Sequence, residues 1–199
     1  VVRIGISVEG PTEERFVKQV LAPYLANKNI FITPIHMEGD VKLDKVKNEL
    51  KNIANSFDYV TTLYDFYGFK KKTTDETKES LEEKIMQHVH PSISPRLIPY
   101  IQMYEFEGLL FSDPDAMESE LGEEGVKNWA ESILNTFDNN PEAINDSTET
   151  APSKRLVKKT SYRKTTHGPN IAEAIGIEKI REKCPGFNAW LQRIETLTP

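Results

Sequence analysis

The chain has 199 residues, 38% of them hydrophobic and 28% charged, with a formal net charge of −6. That apolar share excludes a disordered chain, and the length suits one domain, or one domain with an appendage. The negative total excludes a protein that coats nucleic acid through its overall field, although a local basic face or bound cations can still handle phosphates.

A single cysteine, Cys184, excludes an internal disulfide and a multi-cysteine zinc site and fits a reducing cytosol. No run reaches the roughly 18 apolar residues of a membrane span, and the first residues lack the charged-then-apolar pattern of a signal peptide. A start on Val1 rather than Met points to a trimmed N-terminus.

In chain order, Val2, Ile4, Ile6 and Val8 alternate as in a strand inside a sheet, and Gly10-Pro11 ends it. From Thr12, read as an N-cap, the period becomes helical through Phe16, Val17, Val20, Leu21 and Leu25. "NIFITPIH" reads as a second strand, and Val46, Leu50, Ile53, Ala54 and Phe57 as a second helical stripe. "YVTTLYDF" is a third strand, "TTDETKESLEEKIMQHV" a charged helix, and "LIPYIQMYEFEGLLF" a fourth strand passing into a helix. This βαβαβ order predicts an α/β fold with a mainly parallel sheet flanked by helices. Further helices follow in "GVKNWAESILNTF", "NIAEAIGIEKIREKC" and "FNAWLQRIETL", with "DNNPEAINDSTETAPSKR" a polar loop between the first two. The division expected is an α/β core over 1–115 and a helical C-terminal part over 116–199 packed on it, the two forming either two units or one.

Sites in open parallel sheets form at the carboxyl ends of strands. Glu9 ends the first strand, Asp65 the third, and Glu105 and Glu107 fall late in the fourth. Carboxylates held close together repel and raise each other's pKa, which a divalent cation relieves. Hard oxygen donors without cysteine favour Mg²⁺ or Mn²⁺ over zinc. Glu13, four residues after Glu9, is placed to join them; with Glu14 it also fits an ordinary acidic first turn of a helix. Asp113 before Pro114 reads as an N-cap.

The stretch "SKRLVKKTSYRK" carries Lys154, Arg155, Lys158, Lys159, Arg163 and Lys164 with no acid among them. It suits phosphate oxygens or, more blandly, a solvated helix face. His167, read in a loop, is suited to phosphate contact or proton transfer. No GxxxxGK[ST] loop, GxGxxG turn or GxSxG elbow is present.

A strand ending in Glu-Gly, Thr-Glu opening a helix and a later strand ending in Asp together resemble the TOPRIM fold of topoisomerases, primases and overcoming-lysogenization-defect nucleases. More closely, "VEGPTEERFVKQVLAPYL", "VTTLYDFYG", "IPYIQMYEFEGLLFSDP", "INDSTETAPSKRL" and "YRKTTHGPNIAEAIGIEKIREKCPGFNAWL" are similar, in order and nearly end to end, to the bacterial and archaeal family catalogued as domain of unknown function 4276. The resemblance implies a TOPRIM-like core with a helical C-terminal part. It implies metal or acid/base roles for Glu9, Glu13 and Asp65. The second Asp of the TOPRIM Asp-x-Asp pair is Tyr67 here, so Glu105 or Glu107 would have to supply that ligand. A basic residue facing the transition-state phosphate is also implied, with Lys154, Arg155 and Lys164 as candidates and Lys154 foremost. An ATPase partner in a defence-type system is a further expectation from the resemblance. The function expected is a Mg²⁺-dependent phosphodiesterase, a nuclease acting on nucleic acid. The alternatives are a non-catalytic scaffold for an ATPase or nucleic acid, and a small-molecule phosphatase or nucleotidyl-transfer enzyme.

Overall fold

A computed structural model describes residues 1–199. Strands β1 (Val2–Val8), β2 (Ile30–His36), β3 (Tyr59–Asp65), β4 (Leu97–Ile98) and β5 (Ile101–Gln102) form one sheet in the order β2-β1-β3-β4, with β5 also on β3. Every pairing is parallel. Chain order reverses direction across the sheet between β1 and β3, so the carboxyl ends of these two strands flank the switch point. β1 is buried along most of its length and β3 along nearly all of it, as strands covered on both faces are.

The first helix starts two residues earlier than the sequence predicts. Gly10 is its N-cap, Pro11 occupies the first turn and Thr12 is buried inside it. Proline lacks the N–H that a first-turn residue would leave unpaired, and its fixed φ favours the helical start. Helix α1 (Pro11–Phe16) continues through a wider π-turn segment (Val17–Leu21) into α2 (Ala22–Ala26).

Helices α3 (Leu43–Ile53) and α4 (Lys78–His88) come next. α4 begins later than its charge pattern suggests because Thr77 and Ser80 close a capping box there. The predicted fourth strand is shorter still, two pairs of residues interrupted at Pro99 and Tyr100. Proline donates no ladder hydrogen bond, and beside it the Thr62 hydroxyl takes the ladder's place, accepting from the Tyr100 N–H and donating to the Tyr100 carbonyl, both at 2.8 Å. The rest of that segment is a buried 3-10 stretch (Phe106–Ser112).

Asp113 caps α5 (Pro114–Leu121) as expected, accepting from Asp115 and Ala116 N–H. Then come α6 (Val126–Thr136), α7 (Pro152–Lys159), α8 (Lys164–Ile175), α9 (Ile177–Lys183) and α10 (Pro185–Glu195). α8 and α9 are separated at Gly176, whose φ of 82° stops the single helix read from the sequence. The polar loop before α7 contains short 3-10 turns and one buried acid, Glu142. Its carboxylate accepts from the Gly186 and Phe187 N–H groups at 2.6 and 3.0 Å, capping the start of α10.

One apolar cluster joins β1 and the first helix to residues of the C-terminal helices, from Val2 and Phe16 to Phe187 and Trp190. Trp190 stacks on Tyr100 at 4.5 Å and donates its indole N–H to the Thr61 hydroxyl at 2.9 Å, locking α10 onto the sheet. This packing carries α8 and its N-terminal lysine to the carboxyl ends of β1 and β3. A second cluster packs α3 and α4 on the other face of the sheet. No helix is long and apolar enough to cross a membrane.

Candidate active site

Glu9 follows β1 directly, and its carboxylate accepts from the Asp65 N–H at 3.2 Å. Asp65 ends β3, 8% exposed, and accepts from the Phe106 N–H at 2.7 Å. Gly68 lies so close that a Cβ there would meet the Glu9 carboxylate at 2.1 Å. A side chain at this position would have to push the Glu9 carboxylate out of its place. Glu13, on α1, is buried, with its carboxylate beside Gly10. Glu107, in the 3-10 stretch, is 1% exposed; it accepts from the Tyr162 hydroxyl at 3.3 Å and lies 3.4 Å from the Lys164 ammonium. Glu105 is turned partly aside and accepts from the Ser153 N–H at 2.8 Å at the start of α7.

The electrostatics follow from this crowding. Burial pushes the Asp65 carboxyl well above the usual carboxylate range, and Glu13, Glu9 and Glu107 add to the shift. Burial also raises Glu13 to about 7, reinforced by Glu9 and Glu107. Glu9 is raised by burial, against the Asp65 N–H and the Lys164 and Lys70 charges. Glu107 is raised by burial, against Lys164. Burial works against the Lys164 charge, yet Glu107, Glu105 and Asp65 hold its pKa above the ordinary lysine value. Three buried acids and the half-buried Glu9, served chiefly by one lysine, form a site short of positive charge.

All these donors are hard oxygens, the set that suits Mg²⁺ or Mn²⁺. No three of the side chains converge tightly enough here to enclose an ion. The residues fit such a cation by their chemistry, their mutual repulsion and the space that Gly68 leaves for Glu9.

The basic residues expected from sequence divide. Lys164 reaches the acids. Lys154 does not: it is exposed on α7 and lines a separate cavity with Trp129, Lys158 and Lys159. The helical period turns it away, because the buried face of α7 is held by Ser153 and Leu156. Arg155 is engaged by Asp146 at 2.8 Å, and Arg163 is the exposed N-cap of α8. His167 sits in the first turns of α8 rather than in a loop, and its Nδ1 accepts from the Arg163 N–H at 3.0 Å. Gly168 lets this helix approach the site, since a Cβ there would meet the Tyr162 hydroxyl at 2.8 Å. Sequence reasoning missed Lys70, whose charge acts on Glu9, and Tyr162, which bonds Glu107. The run "KKK" after "DFYGF" was the available sign of the former.

The family profile of the domain of unknown function (DUF4276) matches residues 8–195, nearly the whole chain. The chain belongs to this family. Among solved structures, it is similar to the C-terminal region of the Burkholderia pseudomallei OLD protein, over 98% of this chain and 97% of that one, with a TM-score of 0.51 and 16% identity. The C-terminal region of the Xanthomonas campestris pv. campestris OLD protein gives a TM-score of 0.48 and 14% identity over 96% of this chain and 93% of that one. No curated protein matches in sequence. The first structural likeness shows the fold, a TOPRIM-like mainly parallel sheet flanked by helices with a helical C-terminal part.

Proposed function

We propose that this protein is a divalent-metal-dependent phosphodiesterase, a nuclease. The observation that supports the reading is the grouping of Glu9, Glu13, Asp65 and Glu107, with Lys164, about the carboxyl ends of β1 and β3 at the switch point of the sheet. Asp65, Glu9, Glu13 and Glu107 would hold Mg²⁺ or Mn²⁺, with Glu105 as a further donor once released from the Ser153 N–H. The bound cation would supply charge stabilisation at the phosphoryl group and a more acidic water. Glu9, less buried than the others, orients the attacking water, and Gly68 fixes where its carboxylate stands. Lys164, with half of its side chain exposed, neutralises a non-bridging phosphate oxygen. Lys154, on the separate face, takes no part in the chemistry.

A second reading, a TOPRIM-shaped scaffold without catalysis, draws support from Tyr67. It stands where the second acid of the Asp-x-Asp pair would be, and its hydroxyl is bound to Asn145 at 2.6 Å. An ATPase partner in a defence-type system belongs to the proposal on the resemblance alone. Incubating the protein with labelled DNA and RNA in Mg²⁺, Mn²⁺ or EDTA, with and without a candidate ATPase partner, tests the reading. Metal-dependent cleavage lost in Asp65→Asn supports it; no cleavage under any condition favours the scaffold.

A further inference from the structure

The segment "DFYGFKKK", Asp65 to Lys72, is firmly anchored beside the acids. Phe69 is buried and bridges to Val41, whose carbonyl accepts from the Lys70 N–H at 2.9 Å. Lys70, Lys71 and Lys72, with Lys42, Lys45 and Lys84, line a cavity of about 370 Å³. Two acids share its wall, Asp44 and Glu76. Lys84 is paired with Glu76 and Lys42 with Asp40, which leaves Lys45, Lys70, Lys71 and Lys72 without an ion pair. On a chain of net charge −6 this is a local concentration of unspent positive charge.

Next to the cavity stands an aromatic group. The rings of Tyr67 and Tyr104, each partly exposed, lie 5.4 Å apart, and Phe66 meets Tyr104 edge-on at 6.4 Å. Tyr67 is held by Asn145, and its N–H donates to the Tyr104 carbonyl at 3.0 Å while Tyr104 keeps a left-handed φ of 57°. The Lys72 ammonium sits 5.2 Å from the Phe66 ring centre and 5.8 Å from that of Tyr67, joining the aromatic group to the cavity. Gly68, two residues before Lys70, lies against the Glu9 carboxylate, so the segment runs from the acid site to the cavity.

We propose that this lysine cavity and the Tyr67–Tyr104 pair form a binding track for single-stranded nucleic acid that leads into the acid site. Phosphates lie along Lys45, Lys70 and Lys71, and a base stacks on the tyrosines. A charged groove beside fixed aromatic rings is the general means of holding single strands, whose unpaired bases can leave the stack; a duplex keeps its base faces covered. Tyr67 thereby has a role of its own in the place of the second acid. The inference rests on the phosphodiesterase reading for the site at the end of the track.

The test is fluorescence anisotropy on the full chain in Ca²⁺ at low salt, with labelled oligothymidylate of about 16 nucleotides and a duplex of equal length. Single strand should bind at least about tenfold tighter than duplex. The Lys45→Ala/Lys70→Ala/Lys71→Ala variant should lower the slope of log K against log salt by about 2. Tyr104→Ala should weaken binding about tenfold, with Tyr104→Phe close to wild type. Lys154→Ala/Lys158→Ala, on the separate face, should change nothing. Equal or tighter duplex binding, unaffected lysine and tyrosine variants, or a loss confined to the Lys154/Lys158 variant would overturn the track. If an alanine variant fails to fold, the wild-type salt slope decides: dependence equal to about two or more phosphate contacts supports the track, and a flat response overturns it. Cleavage assays on the same proteins and oligonucleotides, with Mg²⁺ or Mn²⁺ in place of Ca²⁺, separate the two proposals. Strand binding without cleavage leaves the track standing and removes the phosphodiesterase; cleavage indifferent to strandedness and to the lysines removes the track alone.

Discussion

In the absence of metal, the acid site should make the protein less stable as the pH rises from 5 to 8. Glu13 is raised from 4.5 to about 7 by burial, with Glu9 and Glu107 adding to the shift. Below pH 4.5 its contribution to stability is fully present, and it is lost as the pH passes through about 7, because the folded state must then carry a buried charge. At about 1.4 kcal/mol per pKa unit, Glu13 alone accounts for a loss of about 2–3 kcal/mol between pH 5 and pH 8. In a chain of this size that is about 5–10 °C in Tm. Asp65, Glu9 and Glu107, also raised, act with the same sign. Groups with depressed pKa values, such as Glu76 and Glu195, lose their contribution only below this window. Thermal melts in EDTA across the window measure the effect. Glu13→Gln should melt higher than wild type at pH 8, and Mg²⁺ should raise Tm more at pH 8 than at pH 5, since it binds the ionised acids. A Tm in EDTA that is flat or rising from pH 5 to 8, or a Glu13→Gln variant with no gain, would refute the reasoning.

Lys164→Ala should cut cleavage by about a hundredfold while Lys154→Ala leaves it within about twofold, measured as initial rates on one substrate; comparable losses would contradict the assignment of Lys164. Gly68→Ala places a methyl group against the Glu9 carboxylate, so divalent-metal affinity by calorimetry should fall about tenfold or more. Trp190→Ala removes the stack on Tyr100 and the hydrogen bond to Thr61, and should cost about 3–5 kcal/mol in a urea titration.

Much of this architecture was legible because the strands carry closely recurring apolar residues, Val2, Ile4, Ile6 and Val8 in the first and Val60, Leu63 and Tyr64 in the third. Glu9 and Asp65 could be assigned to strand ends for the same reason. The fourth strand was overextended because apolar residues continue through a buried 3-10 stretch, and hydrophobicity alone does not separate the two. Glu142 was read as part of a polar loop, since nothing local shows that it caps a helix more than forty residues later. The basic stretch was visible as charge, but which lysine meets the acids depends on how α7 and α8 are turned. Leu156 and Ser153 hold one face of α7 inward, and Gly168 brings α8 close enough for Lys164 to reach Glu107.

The most direct test of the central claim is Mn²⁺ binding by isothermal titration calorimetry at pH 7.5, comparing the wild type with Asp65→Ala. The account predicts saturable binding to the wild type that is lost in the variant while its circular dichroism spectrum is unchanged. A folded wild type that binds no Mn²⁺ at millimolar concentration would contradict it.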